Sequence, residues 1–549
     1  MTRLRLRSDR LLLLLPVLLI IVITLPRVLD AHFGVFDDPV MLLTSEQVLD
    51  GGWSPGHEAE RGRFHPLTWL YYAAFYAVFG AEPAPFFWGN AFLLALIAFG
   101  VIKITAHFTN RFFIQLAAAL LLIASGPIVE NLYTLMKFEL LQMLWIVLSL
   151  LAAGTGWRFK GRLSRAVPVL LVALAVLFAS MSKETSPVLL AISAGWLGMA
   201  LVRRWKQGSE YGEELNFRIV YFIGAGIGVA AYFILRGVYV PYGLFAQGQP
   251  NDFSFELDHL MASALEWRNL LVRDYFYLLF LLPLPIVNWV RIGFRNFGNY
   301  LDIGLWLCGW LGIFIPWKFV LEYYLLPFEI GTALLAALLL EENFRFLISE
   351  RSAFIKALAG AVLVLGGLFF LSTFPNNYSN ARLQLTVDRI NAEMIDELAE
   401  DLPEGSRLII NIDWRNEYVD NIGIWLTELR GRDDLSITHY TPSLDEDIRN
   451  APGDLYILAP VLENWFYPSV RMGFNEFSVR EWNANLQKSF PGRQSLIHEF
   501  VGSYRLHNID APRLFCPFVS GWPYCEVPNT PFDQRVLSYG WRVYSLEQR

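Results

Sequence analysis

Apolar residues in this chain fall in long runs, not in the alternating or three-and-four patterns of a soluble core. Leu11 to Leu25 is one run, interrupted only by Pro16 and Thr24, and Phe354 to Phe374 is another with a single charge, Lys356. A helix needs roughly 20 apolar residues to cross a bilayer. On that measure the pattern predicts about eleven spans, near 11–29, 86–108, 112–128, 138–156, 166–181, 185–202, 217–235, 269–290, 300–317, 323–340 and 354–374. After about Pro375 the runs stop. Gly405 to Asp413, Leu435 to Tyr440 and Asp454 to Pro460 then predict strands, and Glu417 to Arg430 predicts a helix, with Gly and Pro between them. The fold class expected is an α-helical polytopic membrane protein with a C-terminal extracytoplasmic α/β domain, divided into 1–375 and 376–549.

The short connections predict orientation, because Lys and Arg collect on the cytoplasmic side. Arg3, Arg5, Arg7 and Arg10 precede the first run. Alternate connections carry Arg158, Lys160, Arg162 and Arg165, then Arg203, Arg204, Lys206 and Arg218, then Arg291 and Arg295, then Arg345 and Arg351. An odd number of spans therefore puts the N-terminus in the cytoplasm and the C-terminal region outside, at the plasma or inner membrane. The first run is read as an uncleaved helix, since L-D-A-H-F is a poor cleavage site. Two regions then face outward, the loop 30–85 and everything after about 375. A shorter third loop, Arg236 to about Trp267, holds Asn251, Asp252, Glu256 and Asp258.

Composition agrees with lipid as the solvent. The chain is 54% hydrophobic and 17% charged, against about 25% charged in soluble domains. Its 18 Trp and 23 Tyr suit the aromatic belts of membrane interfaces. The net charge of −7 comes with no basic patch, so no nucleic-acid partner is expected. Three cysteines are too few for a disulfide framework. Cys308, inside an apolar run, reads as a packed core residue. Cys516 and Cys525 flank a stretch rich in turn formers and read either as a local disulfide or as two thiols.

Candidate chemistry gathers in the outer loops. Asp37 and Asp38 follow the first span within a few residues, where an ionised carboxylate is costly unless a cation, a metal, water or a function accounts for it. The loop continues through Arg63, His65 and an aromatic stretch to Gly80 that reads as a helix lying in the interface. Lys137, Lys183, Arg236 and Lys318 all fall at outer helix ends, where each is read either as an interfacial snorkelling cation or as a phosphate ligand. Glu130 and Glu139 flank Lys137, and either neutralise it or take part in binding.

This order of elements resembles the GT-C superfamily of membrane glycosyltransferases, which includes the protein O-mannosyltransferases and the lipid A aminoarabinose transferases. Phe36, Asp37 and Asp38 are similar to the acidic pair that opens the family's first outer loop. His65, Pro66 and Leu67, followed by Phe79 and Gly80, are similar to the stretch that continues it. Glu130 to Leu141 looks like the segment between the third and fourth spans, and Ser182 to Pro187 like the Lys-containing turn between the fifth and sixth. Glu322 to Pro327 is similar to the Arg-Tyr-Leu-Leu-Pro motif of a late span, with Glu322 and Tyr323 in place of the basic lead-in.

The resemblance implies a sugar donor linked to polyprenyl phosphate, transferred to a glycan, lipid or protein acceptor. A phosphate monoester, with a second pKa of about 6, leaves without a general acid. An acceptor hydroxyl needs one positioned base, and Asp37 is assigned that role, with inversion at the anomeric carbon. Asp38 orients the acceptor or pairs with a cation. Lys137, Lys183, Arg236 and Lys318 are the donor-phosphate candidates. Arg63, His65, Glu130, Glu139, Glu184, Glu322 and Tyr323 are the acceptor or sugar candidates. No cofactor is expected and no metal site is assigned, a divalent cation on the carboxylates being the alternative. The rival readings are a lipid or glycan transporter or flippase, and an inactive membrane scaffold presenting the C-terminal domain.

Overall fold

A computed structural model describes residues 12–155, 162–207, 212–240, 253–292, 297–317, 320–350, 352–412, 417–440, 454–464, 476–490, 492–509, 511–518 and 532–546. Each of the eleven predicted segments overlaps a helix. Among the described residues five helices are long and apolar enough to cross a membrane, or up to seven when each bent pair counts as one span. The chain is an integral membrane protein built mainly of helices.

The helices that matter for the site are α1 (Leu14–Leu29), α2 (Asp38–Leu49), α3 (Pro66–Phe79) and α4 (Pro83–Thr105). They are followed by α5 (Phe112–Ile123), α6 (Gly126–Tyr133), α7 (Glu139–Thr155) and α8 (Arg162–Ser182). Where a single span was expected over 112–128, α5 and α6 meet at 55°. Pro127 accounts for the break, since its ring clashes with the carbonyl four residues back, at Ile123. The aromatic stretch after His65 is the helix α3, entered at Pro66 and left at Gly80, whose φ of +62° suits a residue without Cβ. The span expected at 269–290 instead belongs to a bent pair that starts at Leu257 and turns by 64° after Tyr275. Cys308 is an exposed free thiol, not a core residue. In its helix, Phe297–Phe314, the neighbouring Trp306 and Trp310 turn inward and leave Cys308 on the opposite face. Cys516 is disulfide-bonded, and Cys525 lies outside the described residues.

The last apolar run becomes a helix of 49 residues, Ala353–Asp401, about 73 Å long at 1.5 Å per residue. Pro375, where the sequence reading places the domain boundary, sits inside it. Beyond it lies a five-stranded sheet formed by β1 (Arg407–Ile410), β2 (Ser436–His439), β3 (Leu455–Glu463), β4 (Gln494–Arg505) and β7 (Val536–Leu546), in the order β2-β1-β3-β7-β4. A two-stranded sheet pairs β5 (Asn508–Ile509) with β6 (Phe532–Asp533). β1 runs parallel to β2 and β3, whereas β7 is antiparallel to both of its neighbours. The three predicted strands are β1, β2 and β3. The expected helix is Tyr418–Ile424, continued by one π-helical turn, Trp425–Leu429.

The lower half of the long helix packs on this sheet. Tyr539 Oη and Trp541 Nε1 both donate to Asn391 Oδ1, at 2.7 and 2.9 Å. One apolar core joins the first loop to the C-terminal region, with Phe33, Met41, Trp69 and Phe87 in the same cluster as Val387, Met394, Leu408 and Trp541. A separate core fills the helix bundle. The first loop is therefore wedged between bundle and sheet, and that wedge positions the site.

Candidate active site

Between α1 and α2 the chain makes a tight turn. Asp38 N–H donates to Phe36 O at 2.9 Å, and Asp37 between them has φ +67° and ψ −34°. This is close to a γ-turn of the rare, strained kind. For a residue with a Cβ such a conformation costs on the order of 1–3 kcal/mol and persists only when its surroundings over-determine it. The surroundings do so here. Gly34 N–H donates to Asp38 Oδ2 at 2.6 Å, Trp425 Nε1 donates to Gly34 O at 3.2 Å, and Phe36 stacks on Tyr418 with centroids 5.8 Å apart.

The turn lines a pocket whose walls include Arg27, Asp37, Asp38, Lys137, Gln384, Asp388 and Tyr418. Asp38 is 4% exposed. Burial, and after it the Asp388 carboxylate, push its carboxyl well above the usual carboxylate range. Asp388 pairs with Arg27 at 2.5 Å, both side chains almost fully buried. Lys137 follows Met136, itself at φ +54°, and lies over the Tyr323 ring at 4.1 Å.

Beside this pocket stands a second set of charges, matched in pairs. His65, 1% exposed, lies between two carboxylates, with Nε2 2.7 Å from Glu58 Oε2 and Nδ1 3.1 Å from Glu184 Oε1. The ring is fixed by aromatic neighbours, Phe138 at 4.4 Å and Trp69 at 5.8 Å. Burial by itself lowers the His65 pKa, but Glu184 and Glu58 outweigh it and push the ring up to about 9. Burial works to raise Glu58, and the imidazolium overrides it, bringing Glu58 down to about 2. Glu184 is lowered in the same way. Lys183 pairs with Glu139 at 2.9 Å. Against the effect of burial, that carboxylate raises the lysine. Arg63 is also raised despite burial, by Glu184 and Glu58 first and more weakly by Tyr324 and Asp37.

The predicted site residues thus divide among the pocket, the adjoining network and several separate positions. Asp37, Asp38 and Lys137 share the pocket. His65, Glu139, Lys183 and Glu184 form the adjoining ion-pair network, and Arg63 lies near enough to Glu184 and Glu58 to feel their charge. Arg236 docks the first loop by donating Nη2 to Gly62 O at 2.9 Å. Glu130 lies on α6 and is half-buried. Tyr323 sits under Lys137, Glu322 opens a short 3-10 turn, Glu322–Leu325, and Lys318 lies outside the described residues. Sequence reasoning missed Arg27, Glu58, Gln384, Asp388 and Tyr418. Arg27 carried a signal, a lone cation at the end of an apolar run, whereas Asp388 sits in an ordinary polar stretch with none.

No family model matches the chain, and no curated protein matches it in sequence. Solved structures do match. A crystal structure of the oligosaccharyltransferase of Archaeoglobus fulgidus, tethered to an acceptor peptide containing the NVT sequon, aligns with a TM-score of 0.53 at 12% identity, over 98% of this chain and 88% of that one. ArnT from Cupriavidus metallidurans bound to undecaprenyl phosphate aligns at 0.48 and 13% identity, over 81% and 92% of the two chains. AglB from Archaeoglobus fulgidus, in complex with an inhibitory peptide and a dolichol-phosphate, aligns at 0.48 and 14% identity, over 76% and 63%. On the first of these matches, the chain has the fold of the archaeal oligosaccharyltransferase, which is the fold its sequence resemblance to the GT-C superfamily implies.

Proposed function

We propose that this protein is a glycosyltransferase that moves a sugar from a polyprenyl-phosphate donor to an acceptor hydroxyl at the outer face of the membrane, with inversion. In this reading residues 1–375 are the catalytic membrane domain and 376–549 an extracytoplasmic domain that seals one wall of the pocket. The observation that carries it is the strained turn that puts Asp37 in the lining of a pocket shared with Lys137. Asp37 at the turn's apex is the general base, taking the acceptor proton as the oxygen attacks the anomeric carbon. The C1–O bond to phosphate breaks on the opposite side, and the electron pair stays on the phosphate.

Lys137, supported by Arg63 beside the adjoining network, is the cation for that developing charge. Lys183 and His65 act through the ion pairs that shape the wall. The archaeal neighbour, an oligosaccharyltransferase tethered to an acceptor peptide, supports transfer chemistry on this fold.

The test is Asp37→Asn in the full-length protein at normal membrane levels, with surface glycans profiled by mass spectrometry against wild-type and deletion strains. The expected result is that the variant matches the deletion and that both lack one sugar mass. If deletion removes a glycan and the Asp37→Asn strain retains it, the base assignment fails and a transport role gains ground.

A further inference from the structure

The residues 31–37 belong to no helix or strand, so the turn around Asp37 has no ladder of backbone hydrogen bonds to hold it. It is held by side chains that reach in from distant parts of the chain. Arg27, at the end of α1 and wholly buried, donates to His32 O at 3.0 Å and lies over the Phe87 ring at 4.0 Å. The carboxylate that places Arg27 is Asp388, 361 residues away on the long helix. Its other oxygen accepts from Gln384 Nε2 at 2.6 Å, one helical turn earlier. Asp388 also stands directly against the turn. A Cβ built on Gly34 would lie 3.2 Å from Asp388 Oδ1 and 3.4 Å from Asp38 Oδ2, so the two carboxylates close on Gly34 together.

We infer that Asp388 is a positioning residue for the transfer reaction: through Arg27 and its contact with Gly34 it fixes the turn that aims Asp37. The inference rests on the proposed function, since it gives Asp37 the role of base. The physical reason is reach. The turn spans a few residues, and a displacement of about 1 Å in an attacking arrangement costs on the order of a hundredfold in rate. Arg27 grips one end of the segment, Asp38 caps it internally, and Asp388 is the group that both contacts share. Arg27 and Asp388 both stand outside the proton transfer. Their removal should slow transfer without changing which sugar is moved.

A buried ion pair also serves stability, and removing one partner leaves the other charge uncompensated. The experiment separates the two roles with Asp388→Asn and with the double variant Arg27→Met/Asp388→Asn, which removes both charges. Thermal unfolding of the detergent-purified full-length protein is measured beside the rate at which a complemented deletion strain regains the missing glycan mass. Asp388→Asn is expected to lower both. The double variant is expected to regain most of the lost thermal stability while its transfer rate stays about a hundredfold down. Transfer that recovers in step with stability, or Asp388→Asn transferring at the wild-type rate, overturns the inference and leaves the function intact. An Asp37→Asn control that transfers normally overturns the function itself, and this inference with it.

Discussion

Two groups of charges lie side by side in this molecule, and they are built on opposite principles. Around His65 every charge has its complement: Glu58 and Glu184 on the ring, Glu139 on Lys183. The pKa values there move so as to keep each group charged, His65 upward and the two glutamates on its ring downward. Around Asp37 the carboxylates crowd, Asp38 is pushed toward its neutral form, and the backbone adopts a conformation that a side chain disfavours. Matched pairs hold a wall in place. Crowded carboxylates on a strained turn store the tension expected where chemistry is done. The contrast separates the Asp37 pocket from the paired wall beside it by energetics.

The sharpest way to break this comparison is Asp37→Asn. It should cut transfer by roughly 10²- to 10⁴-fold, the range of a lost general base, with thermal stability unchanged or improved as one crowded carboxylate goes. A large fall in melting temperature would instead class Asp37 with the supporting pairs.

Next in size is the supporting wall itself. Glu139 is 2% exposed, so Glu139→Gln leaves the Lys183 charge uncompensated and should cost about 3–5 kcal/mol of stability. Lys183→Met should do the same, and the double variant should recover most of the loss. Chemical denaturation of the purified protein would read this. Two single losses that simply add would mean that the pair is not coupled.

Gly34→Ala should act more weakly and on the reacting side. Its methyl group would meet both Asp388 and Asp38 inside ordinary contact distance. Transfer should fall about tenfold, a fraction of what a misplacement of about 1 Å costs, with little change in melting temperature. Equal losses in rate and stability would place the glycine in the general packing of the wedge.

The smallest expected effect is on pH dependence. His65 has its pKa raised from 6.5 to about 9, so the stability it contributes is complete below pH 6.5 and is lost as pH rises toward 9. Glu58, lowered from 4.5 to about 2, contributes above pH 4.5 and loses its contribution as pH falls toward 2. Melting temperature should therefore hold level between about pH 4.5 and 6.5 and decline on the alkaline side. His65→Gln should remove that alkaline decline. A decline that persists in the variant would point to another titrating group.

Much of this was legible along the chain. The long runs marked where helices form, because apolar length is a local property that a helix converts directly into buried or lipid-facing surface. Asp37, Asp38 and Lys137 were legible too, since charges near the ends of apolar runs are conspicuous. Glu139 and Glu184 were singled out, but as binding candidates. That they neutralise Lys183 and His65 follows from how α7, α8 and the first loop pack, which spacing does not encode. Arg236, a phosphate candidate from its place at a helix end, donates to a backbone carbonyl of the first loop, a contact that spacing does not encode.

What the sequence determined by itself is the solvent and the order of parts: helices for a membrane, an acidic pair after the first, and a sheet-forming tail. Each follows from short-range composition and period. What only the tertiary structure decided is which charges meet. Arg27 finds Asp388 across 361 residues, and Trp425 reaches Gly34 across 391. Such pairings depend on how a long helix and a sheet settle against a loop, where burial makes an unmatched charge expensive and selects the partner that lies within reach.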